Sequence, residues 1–227
     1  MSLNCELRGF LVTLKSSTDM FDLHTHNKAA DWRDNAVVNL NTEDDFSPFR
    51  RFSLGIHPWE VDESWQQKLQ QLKILVDNLI KRKNTSFAAI GEIGIDRLKG
   101  GQIDIQIACF EEQLRLAESC AKPVIIHCTR AFDLVLESLK KMRFDGPVVF
   151  HGFRGKPELA AQLMTKGYYL SFGTKFNAES LKLAYEEKRM FLETDDSGAD
   201  IAEVYESAGR VLNISPTDIF VPGIFTL

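Results

Sequence analysis

Two histidines placed one residue apart are the first residues in this sequence whose types and spacing could do chemistry. The segment DLHTH at positions 22–26 contains His24 and His26. In an extended strand, alternate side chains point to the same face, so these two side chains would enter one cavity together. Two imidazoles on one side are half of a metal site. A pair of surface histidines beside a turn would have the same sequence, so this pattern alone leaves both interpretations open.

Three further histidines and two acids follow the same rule. His57, His127 and His151 each come directly after a short apolar run that is typical of a strand. Glu92 follows another such run and is flanked by glycines that let backbone or ligand approach closely. Asp195 lies in an acidic cluster at the end of the last run. Each acid alone could be a surface or helix-capping carboxylate, but seven such residues at strand ends together indicate a site.

The elements that must position these residues are short apolar segments alternating with helical patterns. Several segments are apolar throughout and rich in β-branched and aromatic residues, as parallel strands covered on both faces require. The predicted strands are Met20–Leu23, Ala36–Leu40, Phe52–Ile56, Phe87–Gly91, Val124–Ile126, Val148–Phe150, Tyr168–Ser171 and Met190–Glu193. The helices predicted from apolar residues at three- and four-residue steps are Ser64–Arg82, Ile103–Cys120, Ala131–Met142, Pro157–Lys166, Ala178–Glu187 and Ala199–Leu212.

This alternation predicts an α/β fold, a (β/α)₈ barrel of the TIM type. The connections 27–35 and 41–51 are too short and too polar for crossover helices, so we expect a reduced barrel with loops after the first two strands. All five histidines then fall at the C-terminal ends of strands, the face of a barrel where active sites are built. We expect one domain over residues 20–227, preceded by an extension, residues 1–19, whose order the sequence leaves open.

Composition limits the classes of function. The net charge of −5 and pI near 5.6 argue against a generally basic nucleic-acid-binding surface, but they permit local basic grooves or a metal that supplies the positive charge. The four cysteines have no paired spacing, which is typical of free thiols in a reducing compartment. No apolar run approaches the roughly 18 residues of a membrane span. We therefore expect a cytoplasmic protein without membrane association, and no obligate protein partner is indicated.

Six ordered motifs resemble the TatD family of metal-dependent hydrolases, which belongs to the amidohydrolase-like TIM barrels. Each motif is weak alone, but their common order over residues 20–196 is specific. The motifs are Asp22-x-His24-x-His26, Gly55-Ile56-His57-Pro58, Gly91-Glu92-Ile93-Gly94-Ile95-Asp96, Ile126-His127-Cys128, His151-Gly152-Phe153-Arg154-Gly155 and Glu193-Thr194-Asp195.

The resemblance implies a site for two divalent metal ions and an attacking water molecule that they activate. Glu92 would bridge the ions or belong mainly to one of them. Asp195 would orient the water or accept its proton. Ligand softness favours Zn, Mn, Ni or Fe over Mg, whereas TatD-like nucleases are usually described as Mg- or Mn-dependent. The ion is left open, with Mg, Mn and Zn as the candidates. The implied ligands besides Glu92 are His24, His26 and Asp195 for one ion, and His127 and His151 for the other.

Substrate contacts are predicted less specifically. We expect His57 to contact substrate rather than to bind metal. Arg154 could hold a phosphate or carboxylate, or be a solvated loop arginine, and Arg130 is a weaker candidate of the same kind. The family's arginine two residues after the strand-five histidine is replaced here by Thr129, and the short loops trim the cleft.

The activity that the resemblance implies is that of a deoxyribonuclease, which cleaves phosphodiester bonds in DNA or nucleotides. The alternative is an amidohydrolase-like enzyme that acts on a C–N or ester bond of a small molecule. The trimmed cleft puts the identity of the substrate in doubt and leaves the metal chemistry intact.

Overall fold

The computed structural model describes residues 11–12, 20–29 and 35–225. Its centre is an eight-stranded parallel sheet in which each strand pairs with the next one along the chain. The strands are β1 (Leu11–Val12), β2 (Asp22–Thr25), β3 (Ala36–Leu40), β4 (Phe52–Leu54), β5 (Phe87–Asp96), β6 (Val124–Thr129), β7 (Val148–Phe150), β8 (Tyr169–Phe172), β9 (Met190–Leu192) and β10 (Val221–Pro222). The large sheet comprises β2 to β9, and β1 pairs with β10 in a separate antiparallel ribbon.

The large sheet closes into a barrel where β2 meets the chain just after β9. Thr25 and Asp195 form a parallel bridge. The N–H of Asp195 donates to the carbonyl oxygen of His24 at 2.9 Å, and the N–H of His26 donates to the carbonyl oxygen of Asp195 at 3.1 Å. The predicted barrel is therefore confirmed, and its seam runs through three residues of the predicted site.

Six α-helices lie among the described residues, and their bounds agree with the predicted helices to within two residues. α4 begins at Pro157, where the missing proline N–H leaves no helical hydrogen bond unmade. α6 begins after Asp200, whose carboxylate accepts the N–H of Ala202 at 2.9 Å. The helices are α1 (Trp65–Lys81), α2 (Ile103–Ser119), α3 (Phe132–Met142), α4 (Pro157–Thr165), α5 (Ala178–Glu186) and α6 (Ile201–Leu212).

The barrel is reduced on the side of β2 and β3, as predicted. The connection 41–51 contains no helix, and neither do the described parts of the connection between β2 and β3. Positions 30–34 of that connection lie outside the described residues. The strands on this side are still buried, and Phe46 and Phe49 from the second connection pack against the apolar core.

The predicted C-terminal ends of four strands were wrong by two residues or more. β4 ends at Leu54, two residues before its predicted end. β2 extends to Thr25, and β5 and β6 continue to Asp96 and Thr129 because their backbones keep pairing past the apolar run. Gly94 makes this possible, since a Cβ there would lie 1.9 Å from the carbonyl oxygen of His127. Glu92 and His127 therefore lie inside strands rather than beyond their ends, which holds both side chains more rigidly.

The described parts of the chain termini meet in the small ribbon. Leu11 pairs with Pro222 and Val12 with Val221, and most of the predicted extension, together with Cys5, lies outside the described residues. The division of the chain at residue 20 stays a prediction. Of the helices that the structure describes, none combines the length and the apolar character needed to cross a membrane.

Candidate metal centre

The first cluster of side chains surrounds one oxygen of Glu92. Alternation along β2 turns His24 and His26 toward the same place, with ring centroids 5.0 Å apart. Their Nε2 atoms lie 3.2 Å and 3.3 Å from Glu92 Oε2. Asp195 joins them from the end of β9, with its Oδ1 3.8 Å and 3.6 Å from the same two ring nitrogens. Three of the predicted ligands therefore meet at this oxygen.

The second cluster surrounds the other oxygen of Glu92. His127 Nδ1 and His151 Nε2 both lie 2.7 Å from Oε1, and His57 Nε2 lies 3.0 Å from it. His57 Nε2 is also 3.4 Å from His127 Nδ1. His57, which we expected at the substrate, thus stands as close to Glu92 as the predicted ligands do.

Glu92 is held between the two clusters by its place in β5. Its side chain is 3% exposed, and its N–H donates to Asn39 Oδ1 at 2.9 Å. Burial alone would raise the pKa of this carboxyl. The charge of His151 and hydrogen bonds with neighbouring imidazoles, His127 foremost, instead hold the pKa well below its usual range. Glu92 is therefore an ionised carboxylate with one oxygen facing each cluster.

The electrostatic environment favours a cation. Burial opposes a charge on His151, but the negative charges of Glu92 and Glu193 raise its pKa well above the usual range. A hydrogen bond with Glu92 likewise raises the pKa of His26. The same negative potential that stabilises imidazolium would stabilise a metal ion bound to the neutral rings.

The ring nitrogens of His24 provide an independent test of whether these residues fit a metal. His24 is fully buried, and neither Nδ1 nor Nε2 makes a hydrogen bond, even though Nε2 lies 3.2 Å from Glu92 Oε2. A buried imidazole without hydrogen bonds is costly unless something else takes its lone pair. Nitrogen and carboxylate donors together suit a divalent transition metal. The donor set therefore fits a metal, and three groups of side chains bring their donor atoms within 4.8 Å of one another.

Buried residues behind the clusters hold them in place. Asp22, 1% exposed, accepts hydrogen bonds from the Thr194 N–H at 3.0 Å and the Thr194 hydroxyl at 2.6 Å, which ties β2 to the end of β9. Burial raises the pKa of Asp22 to about 8. Glu193 accepts the N–H of Gly152 at 2.6 Å and lies 3.4 Å from His151 Nδ1. Asp22 and Glu193 both belong to the motifs of the sequence analysis. The sequence did not show whether these two acids bind metal themselves or hold the metal-binding residues in place.

Three supporting residues were missed by sequence reasoning. Asp96 and Thr129 both lie 3.0 Å from His127 Nε2, and Asn39 contacts the backbone of Glu92. The only signal for Asn39 is a polar residue within the apolar run of β3. Asp96 was quoted in its motif without a role, because the predicted strand ended five residues too early to place it.

The clusters open into a cavity of about 450 Å³, the size of a small-ligand site. His26, His57 and Asp195 face it, and Lys28 contributes the one lysine or arginine among its described lining residues. Arg130 and Arg154 are exposed and do not line this cavity. The structure therefore does not bring the two predicted anion-binding arginines to the centre.

Addition of zinc or manganese at about 100 times the dissociation constant is expected to raise the melting temperature by roughly 5–10 °C. An ion that binds only the native state contributes about 2.7 kcal/mol at that ratio, and each kcal/mol shifts Tm by about 2–4 °C in a chain of this size. Differential scanning fluorimetry measures the shift, and His24→Ala should abolish most of it. An unchanged Tm of the wild-type protein with both ions would contradict the metal centre.

Comparisons with known proteins show the family to which this chain is similar. Residues 15–198 match the model of the TatD related DNase family. An uncharacterized metal-dependent hydrolase of Escherichia coli, YjjV, is 31% identical over 122 residues, which cover 53% of this chain and 46% of the relative. A protein of Cronobacter sakazakii named 3'-5' ssDNA/RNA exonuclease TatD is 31% identical over 118 residues, covering 51% and 43%. The chain thus spans about half the length of the curated relatives it matches.

The crystal structure of Escherichia coli YjjV, a TatD homologue, has the same fold. It superposes with a TM-score of 0.72 at 21% identity, covering 89% of this chain and 93% of that one. The six motifs, the eight-stranded barrel and the family match over residues 15–198 therefore lead to one conclusion: this chain belongs to the family of TatD-related DNases.

Proposed function

We propose that this protein is a metal-dependent hydrolase that cleaves phosphodiester bonds in DNA or nucleotides with two divalent ions. The observation that carries the proposal is the position of Glu92, whose two carboxylate oxygens each face a separate group of histidines. A carboxylate placed in this way can bind one ion with each oxygen. The nuclease name of the Cronobacter relative supports a nucleic-acid substrate.

Each of the two clusters would hold one ion. His24, His26 and Asp195 would hold one ion, and His127 and His151 the other. When bound, two divalent ions activate a water molecule and stabilise charge on the attacking and leaving oxygens of a phosphodiester.

Asp195 is the residue that we propose handles the proton. Its side chain is 28% exposed and faces the cavity, so its carboxylate can orient the attacking water and accept its proton. His57, 16% exposed and also facing the cavity, would contact the substrate or bind an ion at Glu92 Oε1. Mg, Mn and Zn all remain candidate ions.

A small-molecule hydrolase is the second candidate function. Phosphodiester substrates are usually held by arginine or lysine. Lys28 is the one such residue among the described lining residues of the cavity, and it is paired with Asp44 at 2.7 Å. Such a lining also suits an uncharged substrate with a C–N or ester bond.

Location in a reducing compartment such as the cytoplasm is also part of the proposal. Cys109, Cys120 and Cys128 are free thiols in the structure, which suits such a compartment. Burial raises the pKa of Cys109 and of Cys128 to about 12, so these two thiols are unreactive near neutral pH.

Degradation of an end-labelled single-stranded DNA oligomer with Mg or Mn tests the proposal. We expect stepwise shortening that a chelator abolishes and that Asp195→Asn lowers by roughly 10²- to 10⁴-fold, the usual contribution of a general base. Asp145→Asn, the same change at an exposed loop position, should leave the rate unchanged. No cleavage by protein with metal demonstrably bound would favour the small-molecule hydrolase.

A further inference from the structure

The buried carboxylate of Asp96 makes four polar contacts. Asp96 ends β5 and is 3% exposed. Its Oδ2 accepts the indole N–H of Trp59 at 2.7 Å and lies 3.0 Å from His127 Nε2. Its Oδ1 accepts the N–H groups of Leu98 at 2.7 Å and Lys99 at 3.1 Å. Both carboxylate oxygens therefore have hydrogen-bond partners, and the carboxylate cannot rotate without losing hydrogen bonds.

The backbone of Asp96 is fixed as well. Gln106 on α2 accepts the Asp96 N–H through Oε1 at 2.9 Å and donates from Nε2 to the Asp96 carbonyl oxygen at 3.1 Å. Gln106 is 1% exposed, so both bonds are shielded from water. A buried glutamine paired with a strand end in this way sets the position of the carboxylate beside the cavity.

His127 faces Glu92 with a different ring nitrogen from the other four histidines. His24, His26, His57 and His151 each turn Nε2 toward Glu92, whereas His127 turns Nδ1 toward it. The remaining nitrogen of His127, Nε2, lies 3.0 Å from Asp96 Oδ2 and 3.0 Å from Thr129 Oγ1. Nδ1 itself lies 2.7 Å from Glu92 Oε1, so carboxylates face both ring nitrogens. A metal ion at Nδ1 would take the lone pair of that nitrogen, and the ring proton would then lie on Nε2, where the Asp96 carboxylate can accept it.

We propose that Asp96, assisted by Thr129, is a positioning residue that holds the metal-bound His127 in the tautomer protonated at Nε2. This leaves the Nδ1 lone pair free and aimed at the metal position beside Glu92 Oε1. Carboxylates behind metal-binding histidines act in this way in many metal sites. The inference rests on the proposed function, because it concerns the ring with a metal ion at Nδ1.

Asp96→Asn should disturb the tautomer because an amide has one acceptor oxygen instead of two. If that oxygen faces Leu98 and Lys99, the NH₂ group points at His127 Nε2 and drives the ring proton onto Nδ1. If the amide is reversed, its NH₂ group opposes the two backbone N–H groups. We expect the affinity for one zinc ion to fall about 10- to 100-fold, the usual cost of losing such a partner, while the other ion binds as in the wild type.

Competition with a chromophoric chelator measures both zinc affinities. Asp145→Asn, the same change at an exposed loop position, is the matched control. This variant should bind both ions within about threefold of the wild-type affinity. An equal loss in Asp145→Asn and Asp96→Asn, or wild-type affinity in Asp96→Asn, would overturn the inference.

The ring proton itself is observable in the zinc-loaded protein. Two-dimensional ¹⁵N–¹H spectra tuned to histidine rings should show a proton on His127 Nε2 that exchanges slowly with water in the wild type and rapidly in Asp96→Asn. A zinc-loaded wild type without a proton on this nitrogen would overturn the inference. A wild type that binds zinc and shows this proton, yet cleaves no phosphodiester, would contradict the proposed function alone.

Discussion

Glu92→Gln is expected to lower hydrolytic activity by roughly 10³-fold or more. Glu92 contacts both groups of histidines, through Oε2 to His24 and His26 and through Oε1 to the others. An amide keeps one acceptor oxygen, and its NH₂ group would point at ring nitrogens that must offer lone pairs. Loss of several kcal/mol of transition-state stabilisation corresponds to about this factor.

Metal analysis and kinetics together test this expectation. Bound metal is measured by mass spectrometry after gel filtration, and initial rates are measured on the substrate that the wild type cleaves. Glu118→Gln, the same change at an exposed position of α2, is the control and should retain full activity and metal content. A Glu92→Gln protein that keeps two ions and more than a tenth of the wild-type rate would show that neither metal binding nor hydrolysis depends on the Glu92 carboxylate.

Asp22→Ala is expected to lower the free energy of unfolding by about 2–5 kcal/mol, even without metal. The N–H groups of Thr194 and His24 would lose the acceptor that Asp22 provides, and each buried unsatisfied group costs about 1–3 kcal/mol. The Thr194 hydroxyl would keep only Thr25 Oγ1, 2.9 Å away, as a partner, and these losses all lie at the seam of the barrel. Strands β2 and β9 would then be held together mainly by the short backbone bridge.

Urea unfolding with a chelator present separates this effect from any loss of metal binding. Asp22→Asn is the matched control, because it has almost the same shape and keeps an oxygen to accept the Thr194 N–H. We expect it to lie closer to the wild type than Asp22→Ala does, with an unchanged m-value in both variants. An unfolding free energy of Asp22→Ala within 1 kcal/mol of the wild type would show that the seam does not depend on this carboxylate.

The strand and helix pattern was predictable because it depends on local spacing. Apolar residues at helical steps predicted all six described helices, and short apolar runs predicted the eight barrel strands. The ends of β5 and β6 were not predictable, since Glu92 to Asp96 and His127 to Thr129 look like loop sequence. They remain strand only because the two backbones pair with each other and Gly94 permits their close approach.

The sequence by itself determined the family, the barrel and the set of residues that meet at the centre. Alternation along β2 places His24 beside His26, and the convergence of strand ends in a barrel brings the remaining predicted ligands to them. These are consequences of periodicity and chain order, so they need no coordinates.

Only the tertiary structure decided how each group is used. It placed His57 against Glu92, left Arg130 and Arg154 outside the cavity, and set Asp96 behind His127. These outcomes depend on distances of about 3 Å between residues tens of positions apart. Such distances follow from strand register and barrel closure, because a shift of one residue along a strand turns its side chains to the other face.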